Sequence, residues 1–177
     1  MHNTTMNKMQ SAVRIEKVTV NFGAGKDQNK LEKGCSLLEQ ITGIKPVRTI
    51  TQKRIPSWGL RPGLPVGAKV TMRGAEATTM VRRLLHAKDF KLKQSCVDDA
   101  GNVAFGVPEY IDIEAAKYDP AIGILGLEAC VTLSKPGARV KHRAIRDTHL
   151  GKRQKVTKEE AMEFMKKTFK VSFGDAQ

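Results

Sequence analysis

The sequence predicts a single α+β domain: antiparallel strands combined with helices, long basic loops, and a basic C-terminal extension that ends in a short helix. Three observations support this. Segments in which apolar and polar residues alternate are interspersed with segments of helical periodicity. Two pairs of alternating segments are joined by turn-forming residues, as in hairpins, which makes their strands antiparallel. The chain has 177 residues, a length that suits one domain with an extension. We divide it into a loose polar N-terminus over 1–11, a core over 12–133 and the extension over 134–177.

The first strand is AVRIEKVTVNF, beginning at Ala12. Val13, Ile15, Lys17, Thr19 and Asn21 fall on one face; Arg14, Glu16, Val18, Val20 and Phe22 fall on the other. The following GAGK lacks the spacing of a dinucleotide or Walker loop and reads as a turn. Asp27 caps a helix with an apolar stripe of Leu31, Cys35, Leu37, Leu38 and Ile41, and Gly43 stops it. Gly74 opens a second helix, with Met80, Val81, Leu84 and Leu85 inward and Arg82 and Arg83 solvated. FKLKQSCV, a turn at 98–102 and VAFGVPEYIDI predict a hairpin, with Pro108 confining its strand to an edge or a break. Asp98 and Asp99 serve that turn rather than paired acid–base chemistry. An irregular connection follows, whose Gly123 and Gly126 lack the basic residue that a KH-type GxxG holds between them. Residues 124–133 read as a buried final strand. Thr157 and Glu160 form a capping box for a last helix with Ala161, Phe164, Met165 and Phe169 on its apolar side.

Residues 45–74 are the chemically distinctive stretch. They hold Lys45, Arg48, Lys53, Arg54, Arg61, Lys69 and Arg73 and no acidic residue. Their ends alternate like strands, and between them Pro56, Gly59, Pro62, Gly63, Pro65 and Gly67 argue against regular structure. Such a loop self-repels and buries little, but its cations suit phosphates and Trp58 suits stacking on an unpaired base, an interaction worth roughly 1–3 kcal/mol. A second basic segment runs over 134–155. It contains Lys135, Arg139, Lys141, Arg143, Arg146, Lys152, Arg153 and Lys155 against Asp147 alone. These two segments account for the whole formal charge of +13, and the rest of the chain is near neutral. Concentration of charge in this way marks a docking footprint for a polyanion.

Other classes fit less well. No apolar run approaches the ~18 residues that span a bilayer, and the N-terminus has no signal-peptide core, so the expected location is cytoplasmic. Cys35, Cys96 and Cys130 have no metal-ligand spacing with the four histidines, and no metal or cofactor is expected. An RNA-processing enzyme would have to draw on His142, Asp147 and His149, which lie in a segment without a rigid frame. A membrane-surface protein would have to rely on the last helix, with Phe164 and Phe169 opposed to Lys166 and Lys167. A stand-alone RNA-binding factor is the remaining alternative.

Five motifs in order carry a resemblance: RIEKVTVNFGAG at 14–25, TGIKP at 42–46, LRPGLPVGAKVTMRG at 60–74, GNVAFGVPEYIDI at 101–113 and YDPAIGILGLE at 118–128. The chain resembles the universal large-subunit ribosomal protein five family. KHRAIRDTHLGKRQKVTKEEAMEF is similar to its archaeal and eukaryotic branch. The resemblance implies a non-catalytic protein of the large ribosomal subunit, with an antiparallel sheet packed on helices whose exposed face grips 5S rRNA and anchors it in the central protuberance. It implies 5S rRNA contacts from Asn21 and Thr71, with Lys45, Arg48, Lys69 and Arg73 around them. The 52–67 loop, through Lys53, Arg54, Ser57, Trp58, Gly59 and Arg61, would reach the P-site tRNA. Residues around 112–124 would face a small-subunit protein across an intersubunit bridge. Lys135, Arg139, Lys141, Arg143, Arg146, Lys152 and Arg153 would contact 23S-type rRNA. The bacterial motif has glutamine where Ile44 stands, so that side chain's hydrogen bond is not expected here.

Overall fold

The two long alternating segments build the centre of the sheet. In the computed structural model, which describes residues 12–114 and 116–174, the chain runs β1 (Arg14–Gly23), α1 (Gln28–Thr42), β2 (Val47–Ile50), β3 (Pro65–Met72), α2 (Gly74–His86), β4 (Lys91–Lys93), β5 (Val103–Val107), β6 (Leu127–Ser134), α3 (Lys158–Phe169) and β7 (Ser172–Gly174). Five strands form one sheet in the order β2-β3-β1-β6-β5, antiparallel throughout. The fold is the expected single-domain α+β arrangement. The expectation for residues 1–11 lies outside the described residues.

One face of the sheet is apolar and carries the helices. Val18, Val20 and Phe22 of β1, Ala68, Val70 and Met72 of β3, Val103, Phe105 and Val107 of β5, and Leu127, Ala129, Val131 and Leu133 of β6 are all buried. They share a core with Leu31, Leu37, Leu38 and Ile41 of α1, Ala77, Met80, Val81, Leu84 and Leu85 of α2, and Ala161, Met165 and Phe169 of α3. The caps form as the sequence implies. Asp27 accepts from the amides of Asn29 and Lys30, Gly43 closes α1 at φ 69°, and Thr157 and Glu160 cap α3 reciprocally.

Several expectations are corrected. The register of β1 against β6 shifts between Ile15 and Lys17, so Glu16 is a bulge. Ile15 pairs with Leu133, and Val13 and Ile15 pack on the core instead of joining Thr19 and Asn21. The hairpin expected from FKLKQSCV does not form as a ladder. Its turn is present, with Asp98 accepting from the backbone and side chain of Asn102, but among the described residues the arms meet in the Asp98–Asn102 backbone hydrogen bond and the single bridge Val97–Val103 rather than in a ladder. Instead β4 pairs in parallel with β7. The left-handed Lys170 at the end of α3 turns the chain, and the Ser172 amide then donates to Phe90 O. The strand expected over 124–133 begins at Leu127, is followed by β7, and is buried on one face only. Arg83 is half-buried and bonded rather than simply solvated: its guanidinium donates to Ile41 O at 3.1 Å and to Glu114 O at 2.7 and 2.9 Å. It thereby fastens the end of α1 and the 108–126 connection to α2.

Candidate nucleic-acid interface

Alternation that buries one set of side chains necessarily presents the other set on the far face. Cross-strand register orders that set into rows. One row runs Val47, Lys69, Asn21, Glu128, Gly106 across β2, β3, β1, β6 and β5. The next runs Thr71, Thr19, Cys130, Ala104, and Lys17 pairs with Thr132 beyond it. All of these residues are exposed or half-buried. The surface is a field of small, mostly uncharged side chains that carries three charges, Lys69 on β3, Lys17 on β1 and Glu128 on β6. Burial raises the pKa of the Cys130 thiol, and the negative charge of Glu128 raises it further, so Cys130 adds no charge to the field near neutral pH. Small polar side chains on an open strand face suit ribose and base edges.

The structure brings Asn21, Lys69 and Thr71 together on this face. Lys45 is exposed just before β2, and Arg73 is exposed at the N-cap of α2. Arg48 stands apart: it pairs with Ala68, a core-side position, so it projects from the opposite face at the sheet edge.

The β2–β3 loop is more ordered than its prolines and glycines suggest. Thr51 N donates to Leu64 O and Gly63 N to Thr51 O. Ile55 bridges Leu60, and Pro56–Trp58 form a 3₁₀ turn closed by the left-handed Gly59. Leu60, which closes the bridge, is buried. Trp58 is 68% exposed, and Lys53, Arg54, Ser57 and Arg61 are exposed around it. A side chain at Gly59 would lie 3.7 Å from Lys26 Cδ, so Lys26, from the turn after β1, belongs to this basic tip.

The basic segment after β6 is a closed loop with joined feet. Lys135 is 5% exposed, and its Nζ donates to Glu160 Oε1 at 2.8 Å, Lys155 O at 3.1 Å and Arg153 O at 3.3 Å. An ammonium has three protons, and each has an acceptor here. The Gln154 side chain donates to Pro136 O beside it. Lys135 therefore presents no charge to solvent and serves as the clasp of the loop, whereas Arg139, Lys141, Arg143, Arg146, Lys152 and Arg153 are exposed along it. His142, Asp147 and His149 are exposed on the same loop. Among the described residues no group of three His, Cys, Asp or Glu side chains is placed to hold a metal ion. Sequence reasoning missed Lys17, Lys26 and Glu128. The alternation of β6 would have placed Glu128 on the polar face had the strand been read as half-buried.

Comparison with known proteins gives the same family as the motifs. Residues 7–61 match the family described as ribosomal protein L5, and residues 65–164 match the model for the C-terminus of the same ribosomal family. The chain is similar to large ribosomal subunit protein uL5 of Sulfurisphaera tokodaii, with 44% identity over 95% of both chains. It is similar to uL5 of Nanoarchaeum equitans, with 48% identity over 86% of this chain and 90% of that one. For uL5 of Pyrobaculum aerophilum the identity is 46%, over 90% and 89%. Two family models that together cover most of the sequence, and relatives above 40% identity along nearly their whole length, show that the chain belongs to the ribosomal L5 family of large-subunit proteins.

Proposed function

We propose that the open sheet face binds 5S rRNA and holds it in the central protuberance of the large subunit. The observation that carries this reading is the row of Lys69, Asn21 and Glu128, flanked by Thr19 and Thr71, on a sheet face whose side chains are exposed or half-buried among the described residues. The same reading assigns the 52–67 loop to the P-site tRNA, supported by exposed Trp58 among cations, and the 139–153 arm to 23S-type rRNA. It assigns the 112–124 connection to a small-subunit partner across an intersubunit bridge, supported by exposed Tyr118 and Ile124. Arg48 is a peripheral cation in this scheme and Lys135 a structural one.

The test is a gel shift of the full chain with transcribed 5S rRNA at fixed salt. Replacing Asn21 and Thr71 together by alanine removes two hydrogen-bonding groups of about 1 kcal/mol each, so affinity falls about 10-fold or more while the melting temperature holds. Unchanged affinity removes the reading. Wild-type binding falls roughly 10³–10⁵-fold between 50 and 200 mM salt if six to ten phosphates are neutralised.

A further inference from the structure

A carboxylate near the middle of a face that meets a polyanion is out of place on charge alone, because it repels phosphate. Its surroundings give it work. Asn21 Nδ2 donates to Glu128 Oε2 at 3.1 Å. An ionised carboxylate only accepts, so this bond fixes which end of the Asn21 amide faces β6 and turns Oδ1 away from it. Glu128 Oε1 has no hydrogen-bond partner among the described residues, and the side chain is exposed.

The other side of Glu128 is bare. Its partner on β5 is Gly106, where an added Cβ would meet nothing nearer than Leu127 O at 3.9 Å. Ala104 lies two residues along the same exposed edge strand. A nucleotide can therefore approach the strand backbone beside Glu128. Read across the sheet, the row is cation at Lys69, oriented amide at Asn21, anion at Glu128, and open floor at Gly106.

We infer that Glu128 is the residue by which this face selects a neutral hydrogen-bond donor of a ribonucleotide, either a ribose 2′-hydroxyl or a base amine. The inference rests on the reading of the face as the 5S rRNA site. Phosphate lies toward Lys69, and the donor lies over Gly106 against Glu128 Oε1. Glu128 also acts as a positioning residue for Asn21, since without the carboxylate the amide is free to flip.

Charge and hydrogen bonding predict opposite outcomes for Glu128→Gln. Removing a negative charge from an RNA-binding face tightens binding if charge alone matters. Losing a charged acceptor and the fixed Asn21 amide weakens it, by about 10-fold or more, with an unchanged salt slope because no phosphate contact is altered. The full chain and its variant are titrated against transcribed 5S rRNA. Weaker binding at an unchanged slope supports the inference; equal or tighter binding overturns it. Gly106→Val is the companion variant. It adds a β-branched residue in open space on a strand, keeps the fold, and weakens binding by covering the floor; if it binds like wild type, nothing approaches there and the inference fails. Interference mapping with sparse 2′-deoxy substitutions and with base analogues that lack the exocyclic amine of guanine, adenine or cytosine separates the donors. A 2′-deoxy signal that vanishes in Glu128→Gln identifies the hydroxyl, an amine-deletion signal that vanishes identifies the base amine, and signals that persist in the variant, or no signal with wild type, overturn the assignment. A wild-type chain that ignores 5S rRNA overturns the underlying reading as well, a result distinct from wild-type binding that Glu128→Gln leaves intact.

Discussion

Replacing Lys135 by methionine keeps a long apolar stem but removes an ammonium that makes three hydrogen bonds, to Glu160, Lys155 O and Arg153 O. Hydrogen bonds involving a charged group contribute about 1.5–3 kcal/mol each. Here the acceptors are not sealed: the Glu160 side chain is 40% exposed, and Arg153 and Lys155 are exposed residues, so water replaces much of what is lost. A net cost of about 2–3 kcal/mol follows. Glu160→Gln is the informative partner variant. Glutamine still serves in a capping box, so the start of α3 is retained, but an ammonium whose side chain is 6% exposed loses its anion. Removing one member of a buried pair costs about 3–5 kcal/mol. The exposed member is therefore the more damaging one to change. Thermal unfolding of both variants and of the double variant checks the order, with midpoint temperatures lower by about 4–12 °C for Lys135→Met and about 6–20 °C for Glu160→Gln. The double variant matches Lys135→Met, since no buried charge is left alone. A Glu160→Gln protein more stable than Lys135→Met refutes the reasoning.

The same pair sets an acid-side dependence. Burial pushes the Glu160 carboxyl pKa up, but hydrogen bonds from Lys135 and the Thr157 amide, together with the ammonium charge, outweigh this and leave it below the ordinary glutamate value. A depressed folded-state pKa contributes stability that is present above the unfolded value, ~4.3, and is lost as pH falls through the folded one. Melting temperatures of wild type and Lys135→Met accordingly converge as pH drops from about 6 to about 3; a constant gap contradicts this. Gly34→Ala in α1 gains helix propensity of about 1 kcal/mol, yet its Cβ would sit 2.1 Å from Phe22 Cδ1 in the core. Overpacking costs of about 1–3 kcal/mol dominate, and urea denaturation shows net destabilisation; a stabilised variant refutes the packing argument.

Features written in local chemistry were legible from the sequence. Asp27, Gly43 and the Thr157–Glu160 box mark helix ends because each satisfies backbone groups within a few residues. The β3 alternation survives intact and correctly places Lys69 and Thr71 with Asn21. What was not legible depends on distant partners. Nothing near Lys91 indicates that its strand pairs with Ser172, 81 residues away by numbering, because three-residue strands carry no period of their own. Lys135 and Arg83 look like surface cations until the carbonyls they reach are folded into place. Glu16 looks like an ordinary member of β1, yet it is the extra residue that moves Ile15 to the core side. Within the candidate site, the polar types were readable, but the face each occupies was not wherever bulges and strand bounds intervened.

The position of β1 has a consequence for how this chain is made. Among the described residues it is the first strand in chain order, yet it occupies the middle of the sheet, and its far neighbour pairs Asn21 with Glu128 across 107 residues. During translation β1 gains β3 early but leaves its other edge unpaired until most of the polypeptide has emerged. An unpaired strand edge on a nascent chain is a template for wrong partners, and distant pairing closes slowly. Newly made copies thus depend on completing the C-terminal half, or on shielding by a chaperone, before that edge is safe.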